Sequence, residues 1–327
     1  MPALNFPDLM STLRAFQESR ALLTALELNL FTAVGEGAST AEAASRAGTD
    51  ARATEMLLNA LVALGALRKN DGLFYNTSVT SRHLMDSSPE SARKGLMHQA
   101  HLWETWTTLT ECVRTGTSVA EHVNEARRPD WTRAFIAAMD YRARAEAEAL
   151  VRAANVSGAR RLLDIGGGSA IYSIAFLRLY PEMTGDVFDL PAVTPLTRDY
   201  IRAAGMEERI GTRDGDMRRD ELGSGYDVAL LSAICHMFGP EENCELFARC
   251  YRALVPGGRL LMRDQILDPD GTSPRQAALF ALNMLVNTPH GSTYTEAQYA
   301  EWLHSAGFSR VERVQPPETN LMVAWRE

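Results

Sequence analysis

Between residues 162 and 169 the chain reads Leu162-Leu163-Asp164-Ile165-Gly166-Gly167-Gly168-Ser169, an apolar run that meets an acid and then turns on three glycines. A second acid, Asp189, follows Asp164 by 25 residues and closes another apolar run in Val187-Phe188-Asp189-Leu190-Pro191. A strand ending in a glycine turn lets backbone approach a ligand closely, and a helix beginning near Ala170 would aim free N–H groups at it. An acid at the end of the next strand is then placed to accept from two ribose hydroxyls. The pattern constrains this half of the chain to an α/β sheet that binds a nucleoside. The dinucleotide fingerprint asks for glycine at the first, third and sixth positions of the turn, whereas the sequence supplies Gly166, Gly168 and then Ile171, which weakens the case for a pyrophosphate.

The surrounding periodicity agrees. Strands are expected at 161–165, 185–189, 210–213, 226–231 and 259–264 with helical stretches between them, an order that builds a parallel sheet. Segments 311–314 and 321–325 flank the turn-rich 315–320 and read as a terminal hairpin on the sheet edge. At the other end, Leu13, Phe16, Leu23, Leu26 and Leu30 recur at helical spacing and predict one amphipathic helix over 9–34. Ser39-Thr40-Ala41-Glu42 starts another helix, Thr49-Asp50 caps one running to Leu67, and Asn70-Asp71-Gly72 turns into Leu73-Phe74-Tyr75. This is a winged-helix pattern. Its second helix offers only Arg52 against Glu55, so it is expected to pack and dimerise rather than read DNA. A helical section over 91–154 bridges the two halves, giving expected domains of 1–100, 101–155 and 156–327.

At 327 residues the chain is long for one core, consistent with two domains. No basic segment leads into an apolar stretch and no uncharged run is long enough to cross a bilayer, so no membrane association and a cytoplasmic location are expected. Cys112, Cys235, Cys244 and Cys250 lack Cys-x-x-Cys spacing and a nearby histidine pair, so reduced thiols and no metal are expected. The net charge of −8 opposes nonspecific attraction to nucleic acid.

From end to end the chain resembles the class I S-adenosylmethionine (SAM)-dependent small-molecule O-methyltransferases, the caffeate-type plant and bacterial natural-product enzymes. Asp164 to Gly168 matches the family's Asp-x-Gly-Gly-Gly loop, Asp189 in Phe-Asp-Leu-Pro its ribose acid, Gly215-Asp216-Met217 its adenine-framing segment, and Pro256-Gly257-Gly258 the turn before strand five. The resemblance implies an α/β, Rossmann-like catalytic sheet with an N-terminal, all-helical winged-helix dimerisation domain. It also implies an intertwined homodimer and a substrate site between the domains. The cofactor would be SAM, leaving as S-adenosylhomocysteine, with Asp164, Gly166, Gly168, Asp189, Leu190, Asp216, Met217 and Ser232 as the cofactor-binding residues.

Methyl transfer from a sulfonium is an in-line displacement, so the site has to align three atoms and exclude water; a base is needed only where the nucleophile carries a proton. The resemblance puts that base at His236, in Ile234-Cys235-His236-Met237-Phe238 where the family usually reads His-Asp-Trp, and its acidic partner at Asp264. Three departures stand out. Thr293 occupies the place of a second acid, His-Asp-Trp has become His-Met-Phe, and Ser232 replaces a lysine often found near the cofactor.

Phe135, Met139 and Arg142 fall at i, i+4 and i+7, one helical face, and the first two match family residues that pack the acceptor. Arg142 then either enters the pocket to bind a carboxylate, with Tyr141 adding a hydroxyl, or pairs with Glu146 on a solvated face. Trp103 and Trp106 either line the same cavity or pack in the core. The favoured function is O-methylation of a hydroxylated metabolite with His236 as base. The alternative is S-methylation of a small carboxylate thioether such as 4-methylthio-2-hydroxybutyrate, on the route to dimethylsulfoniopropionate, as in bacterial methylthiohydroxybutyrate S-methyltransferases; Arg142 would be the anchor and no base would be needed. A third reading, a non-catalytic ligand-binding or regulatory protein, is opposed by the intact loop, ribose acid and His236.

Overall fold

The computed structural model describes residues 5–119, 129–314 and 320–327, and the chain divides into two compact units, one up to Trp103 and one from Glu104. The first unit holds α1 (Phe6–Arg14), α2 (Phe16–Glu27), α3 (Leu30–Val34), α4 (Thr40–Ala47), α5 (Ala51–Ala63), β1 (Leu67–Asn70), β2 (Leu73–Asn76) and α6 (Ser78–Leu84), followed by α7 (Arg93–Trp106), which spans the boundary in sequence. The single helix expected over 9–34 is three. Asn29 adopts a left-handed backbone (φ 52°), which no helix can propagate through, and its amide donates to Asp86 at 2.8 Å. The helix capped by Asp50 likewise ends at Ala63 rather than Leu67, because Gly65 turns left-handed (φ 73°) and Leu67 enters β1.

Asp71 and Gly72, both at positive φ (48° and 78°), close the β1–β2 hairpin, so the otherwise helical module does carry its wing. Asn76 on β2 donates its amide to Phe31 O and Gly35 O, both at 2.9 Å, tying the hairpin to α3. Leu30, Phe31, Val34, Leu58, Leu61 and Phe74 form the core of this unit. Helix α1 buries nothing: Phe6, Leu9, Leu13 and, at the start of α2, Phe16 are 71, 42, 60 and 55% exposed.

The second unit continues with α8 (Leu109–Thr115), α9 (Pro129–Arg144) and α10 (Ala147–Ala154) and then alternates: β3 (Arg161–Ile165), α11 (Ile171–Leu179), β4 (Thr184–Asp189), α12 (Thr194–Ala203), β5 (Ile210–Asp214), β6 (Tyr226–Ser232), α13 (Pro240–Ala253) and β7 (Leu254–Arg263). A short pair, β8 (Ile266–Leu267) and β9 (Tyr294–Thr295), brackets α14 (Arg275–Asn287), after which come α15 (Glu296–Ser305), β10 (Arg310–Arg313) and β11 (Leu321–Trp325). The seven-stranded sheet has the order β10-β11-β7-β6-β3-β4-β5. Strands β3 to β7 are parallel, as expected, and β11 and β10 join antiparallel; the turn expected between them falls at 315–319, outside the described residues.

Leu163, Ile165, Leu231 and Met262 point to the face covered by α13 and α15, while Leu162, Val228, Leu230 and Leu261 point to the face covered by α10 and α11. From β3 the chain winds outward to β4 and β5 on one side and later to β6 and β7 on the other. That reversal opens a crevice beyond the carboxyl ends of β3 and β6, the usual place for a ligand in such a sheet. Among the described residues no helix is long and apolar enough to cross a membrane.

Candidate active site

The glycine turn leaves β3 at the crevice. Gly166 and Gly168 take left-handed conformations (φ 70° and 53°) that side chains resist, and a Cβ on Gly167 would lie 2.6 Å from the Asp164 carboxyl carbon. Helix α11 begins directly afterwards, from Ala170 at its N-cap. Asp164 is buried and accepts from Ser173 Oγ at 2.7 Å; burial pushes its carboxyl up to about 6 against the pull of that hydrogen bond. From β4, Asp189 accepts from the Gly168 N–H at 2.9 Å and the Leu190 N–H at 2.8 Å. Burial raises its pKa too, and those two N–H groups oppose the rise. Thr197 of α12, absent from the sequence expectations, donates to Gly168 O at 2.6 Å and pins the turn from behind.

Asp216 and Met217 follow β5. Arg218 clamps the Asp216 carboxylate through Nε (3.0 Å) and Nη2 (2.7 Å) and holds its pKa low. The Met217 methyl and the Ile234 side chain reach within 2.9 and 2.5 Å of where a Gly166 Cβ would stand, so this stretch does fold over the glycine turn. Leu190 is 44% exposed beside it, and Ser232 ends β6. The cofactor residues expected from the sequence are therefore gathered at the carboxyl edge of the sheet.

His236 sits on a single 3-10 turn, Cys235–Met237, just past β6, and Asp264 one residue past β7. His236 Nδ1 lies 2.6 Å from Asp264 Oδ1, while Asp264 also accepts the backbone N–H of His236 (3.0 Å) and of Gln265 (2.7 Å). A carboxylate so fully supplied with donors assigns the ring proton to Nδ1 and leaves the Nε2 lone pair, which has no partner among the described residues, as the acceptor. The edge of Phe280, from α14, meets the imidazole at 4.8 Å between centroids and 84° between planes. Thr293, at the expected second-acid position, is buried and donates to Ala277 O at 3.1 Å, so the dyad has a single carboxylate.

On α9, Phe135 and Met139 are partly buried, with Trp131 stacked on Phe135 at 5.2 Å. Tyr141 and Arg142 are exposed, and Glu146 pairs with Arg263. Arg142 thus follows neither course open to it in the sequence: it is not a buried anchor, and Glu146 pairs with Arg263 instead. The i+7 step carries it past the buried stripe, where Ala143 and Ala147 take the inward places. Trp103 belongs to the first unit, where the Arg20 guanidinium lies 5.6 Å over its ring. Trp106 donates its indole N–H to Asn283 of α14 at 2.9 Å. Phe280, Thr197, Tyr172 and Arg263 carry no motif and were not singled out in the sequence; their positions follow from α14, α12, α11 and β7. Tyr172 is 7% exposed, and its hydroxyl is buried without a hydrogen bond. An orphaned polar atom beside the glycine turn fits a site that expects a polar ligand.

Two family models match the chain, an O-methyltransferase domain over residues 106–309 and an O-methyltransferase dimerisation domain over residues 10–86. The chain is 35% identical to the 3-hydroxy-5-methyl-1-naphthoate 3-O-methyltransferase of Streptomyces sahachiroi over 99% of its own length and 96% of the relative's. Its fold superposes with a TM-score of 0.90 on an O-methyltransferase family protein from Burkholderia thailandensis, at 27% identity over 100% of this chain and 99% of that one. Human N-acetylserotonin methyltransferase in complex with SAM gives 0.86 at 25% identity, over 100% and 99% of the two chains.

Proposed function

The chain belongs to the O-methyltransferase family, and from that premise we propose that it methylates a phenolic hydroxyl of an aromatic small molecule with His236 as the general base. It is a SAM-dependent methyltransferase; SAM supplies the methyl group as an activated sulfonium. Gly166, Gly168 and Asp189 hold the nucleoside, the glycines by backbone approach and the acid through the ribose hydroxyls. Asp216, Leu190 and Met217 border the base. Asp264 keeps the His236 proton on Nδ1 and turns Nε2 toward the acceptor. A phenol of pKa ~10 gives its proton to a neutral imidazole only as its oxygen begins to bond to carbon, so the base acts during transfer rather than before it. Phe280 and Met139 supply apolar walls that keep water from competing. No metal is required for this chemistry.

The observation that carries the reading is the His236–Asp264 pair, built with three donors onto one carboxylate. A thioether has no proton to lose, so S-transfer would leave that pair idle, and the exposed Arg142 offers it no buried anchor. The relatives described above are O-methyltransferases. The test is a panel of phenols, catechols, hydroxynaphthoates and methylthio acids, each with the wild type and His236→Ala. Methylation of phenols that falls ~10²- to 10⁴-fold in the variant, with unchanged SAM affinity, is the expected result. Phenol methylation that survives the substitution removes the base assignment.

A further inference from the structure

Beneath α10 lies a polar cluster that the His236 chemistry does not use. Ser232 and Arg263 are register partners on the parallel strands β6 and β7, so their side chains leave the same face of the sheet, the one that α10 and α11 cover. The Arg263 side chain is only 18% exposed and pairs with Glu146, itself 55% exposed at the corner between α9 and α10. Tyr172, on the first turn of α11, brings its orphaned hydroxyl to the same place. It comes near the Ser232 hydroxyl without closing a hydrogen bond of ordinary geometry, and Arg263, Glu146 and Asp164 are all near enough to bear on its ionisation.

The donors are a guanidinium, a phenol and a hydroxyl, set at the carboxyl ends of β6 and β7 and four residues past Gly168. A buried acid, Asp164, flanks them. Donors beside an acid suit a zwitterion, and the methionyl end of SAM is an α-amino acid. We infer that Tyr172, Ser232 and Arg263 together receive the α-carboxylate of SAM, with Glu146 steering the guanidinium toward it. A guanidinium has five N–H donors and serves both carboxylates at once. The inference rests on the reading of the glycine turn as the SAM site, and it gives the orphaned phenol its partner.

Calorimetry with the purified full-length chain decides it, using SAM and decarboxylated SAM, which lacks only the carboxylate. Arg263→Met is expected to weaken SAM by ~10- to 100-fold and decarboxylated SAM by less than ~2-fold. Tyr172→Phe, a change that keeps the ring and its packing, is expected to weaken SAM by ~3- to 10-fold and to leave the decarboxylated ligand alone. Equal losses for both ligands would make Arg263 and Tyr172 structural props and overturn the inference, as would undiminished SAM binding in both variants. If the wild type binds neither ligand, the cofactor reading itself fails and takes the inference with it.

Discussion

His236 and Asp264 are separated by 28 positions, yet the end of one strand and the end of its neighbour bring Nδ1 and Oδ1 to 2.6 Å. Under the proposed base role Asp264 serves the reaction through the ring, its two backbone N–H partners holding the local turn, so Asp264→Asn should reverse the preferred tautomer and lower kcat while leaving KM and SAM affinity close to the wild type; rescue by Asp264→Glu separates that effect from misfolding. Asp164 shows the opposite economy. Its folded pKa of about 6 lies above the ordinary 3.8, so protonated Asp164 favours the folded state, and that contribution is present below pH ~4 and lost as pH rises through 6. At pH 8 a difference of this size corresponds to roughly 3 kcal/mol at most. Asp164→Asn, still able to accept from Ser173, should raise the urea midpoint at pH 8 more than at pH 4.5 and should weaken SAM. Equal shifts at both pH values would show that the ionised acid is not strained. Under the proposed ribose-binding role, Asp189→Ala should cost SAM affinity by ~10- to 100-fold in calorimetry.

At the scale of elements, the glycine turn is the sharpest case. Gly167→Ala would press a methyl against the Asp164 carboxyl at 2.6 Å, and overpacking there is expected to cost about 1–3 kcal/mol in a thermal melt and to abolish SAM binding. Strands β3, β4 and β6 were legible because buried parallel strands read as apolar runs, and Gly166 and Asp189 mark where the first two end; the ends of β3 to β6 were placed within one residue. The 9–34 helix was not, because a turn at Ala15 parts α1 from α2 and the left-handed Asn29 parts α2 from α3, while the apolar spacing continues across both breaks. The dyad was legible through resemblance, since nothing local tells that His236 meets Asp264. Phe280, Thr197, Tyr172 and Arg263 were illegible for the same physical reason: each acts through a tertiary neighbour, and side-chain direction follows from strand register and helix docking rather than from spacing.

For the whole molecule, the stripe of Phe6, Leu9, Leu13 and Phe16 is more apolar surface than a short helix ordinarily leaves in water. Together with the match of residues 10–86 to a dimerisation domain, it predicts that light scattering will find a dimer at micromolar concentration. Leu13→Glu should shift the species toward monomer, and a wild-type monomer would contradict the assignment of that stripe. The order of the sheet has its own consequence for how the protein is made. Strand β11 follows β10 in sequence and yet lies inside the sheet, between β10 and β7. On the ribosome every other strand emerges first, and β7 waits with a bare, aggregation-prone edge until residues 321–325 leave the exit tunnel. Chains released early by a nonsense codon near position 315 should therefore be clients of chaperones and proteases, whatever the state of their catalytic residues.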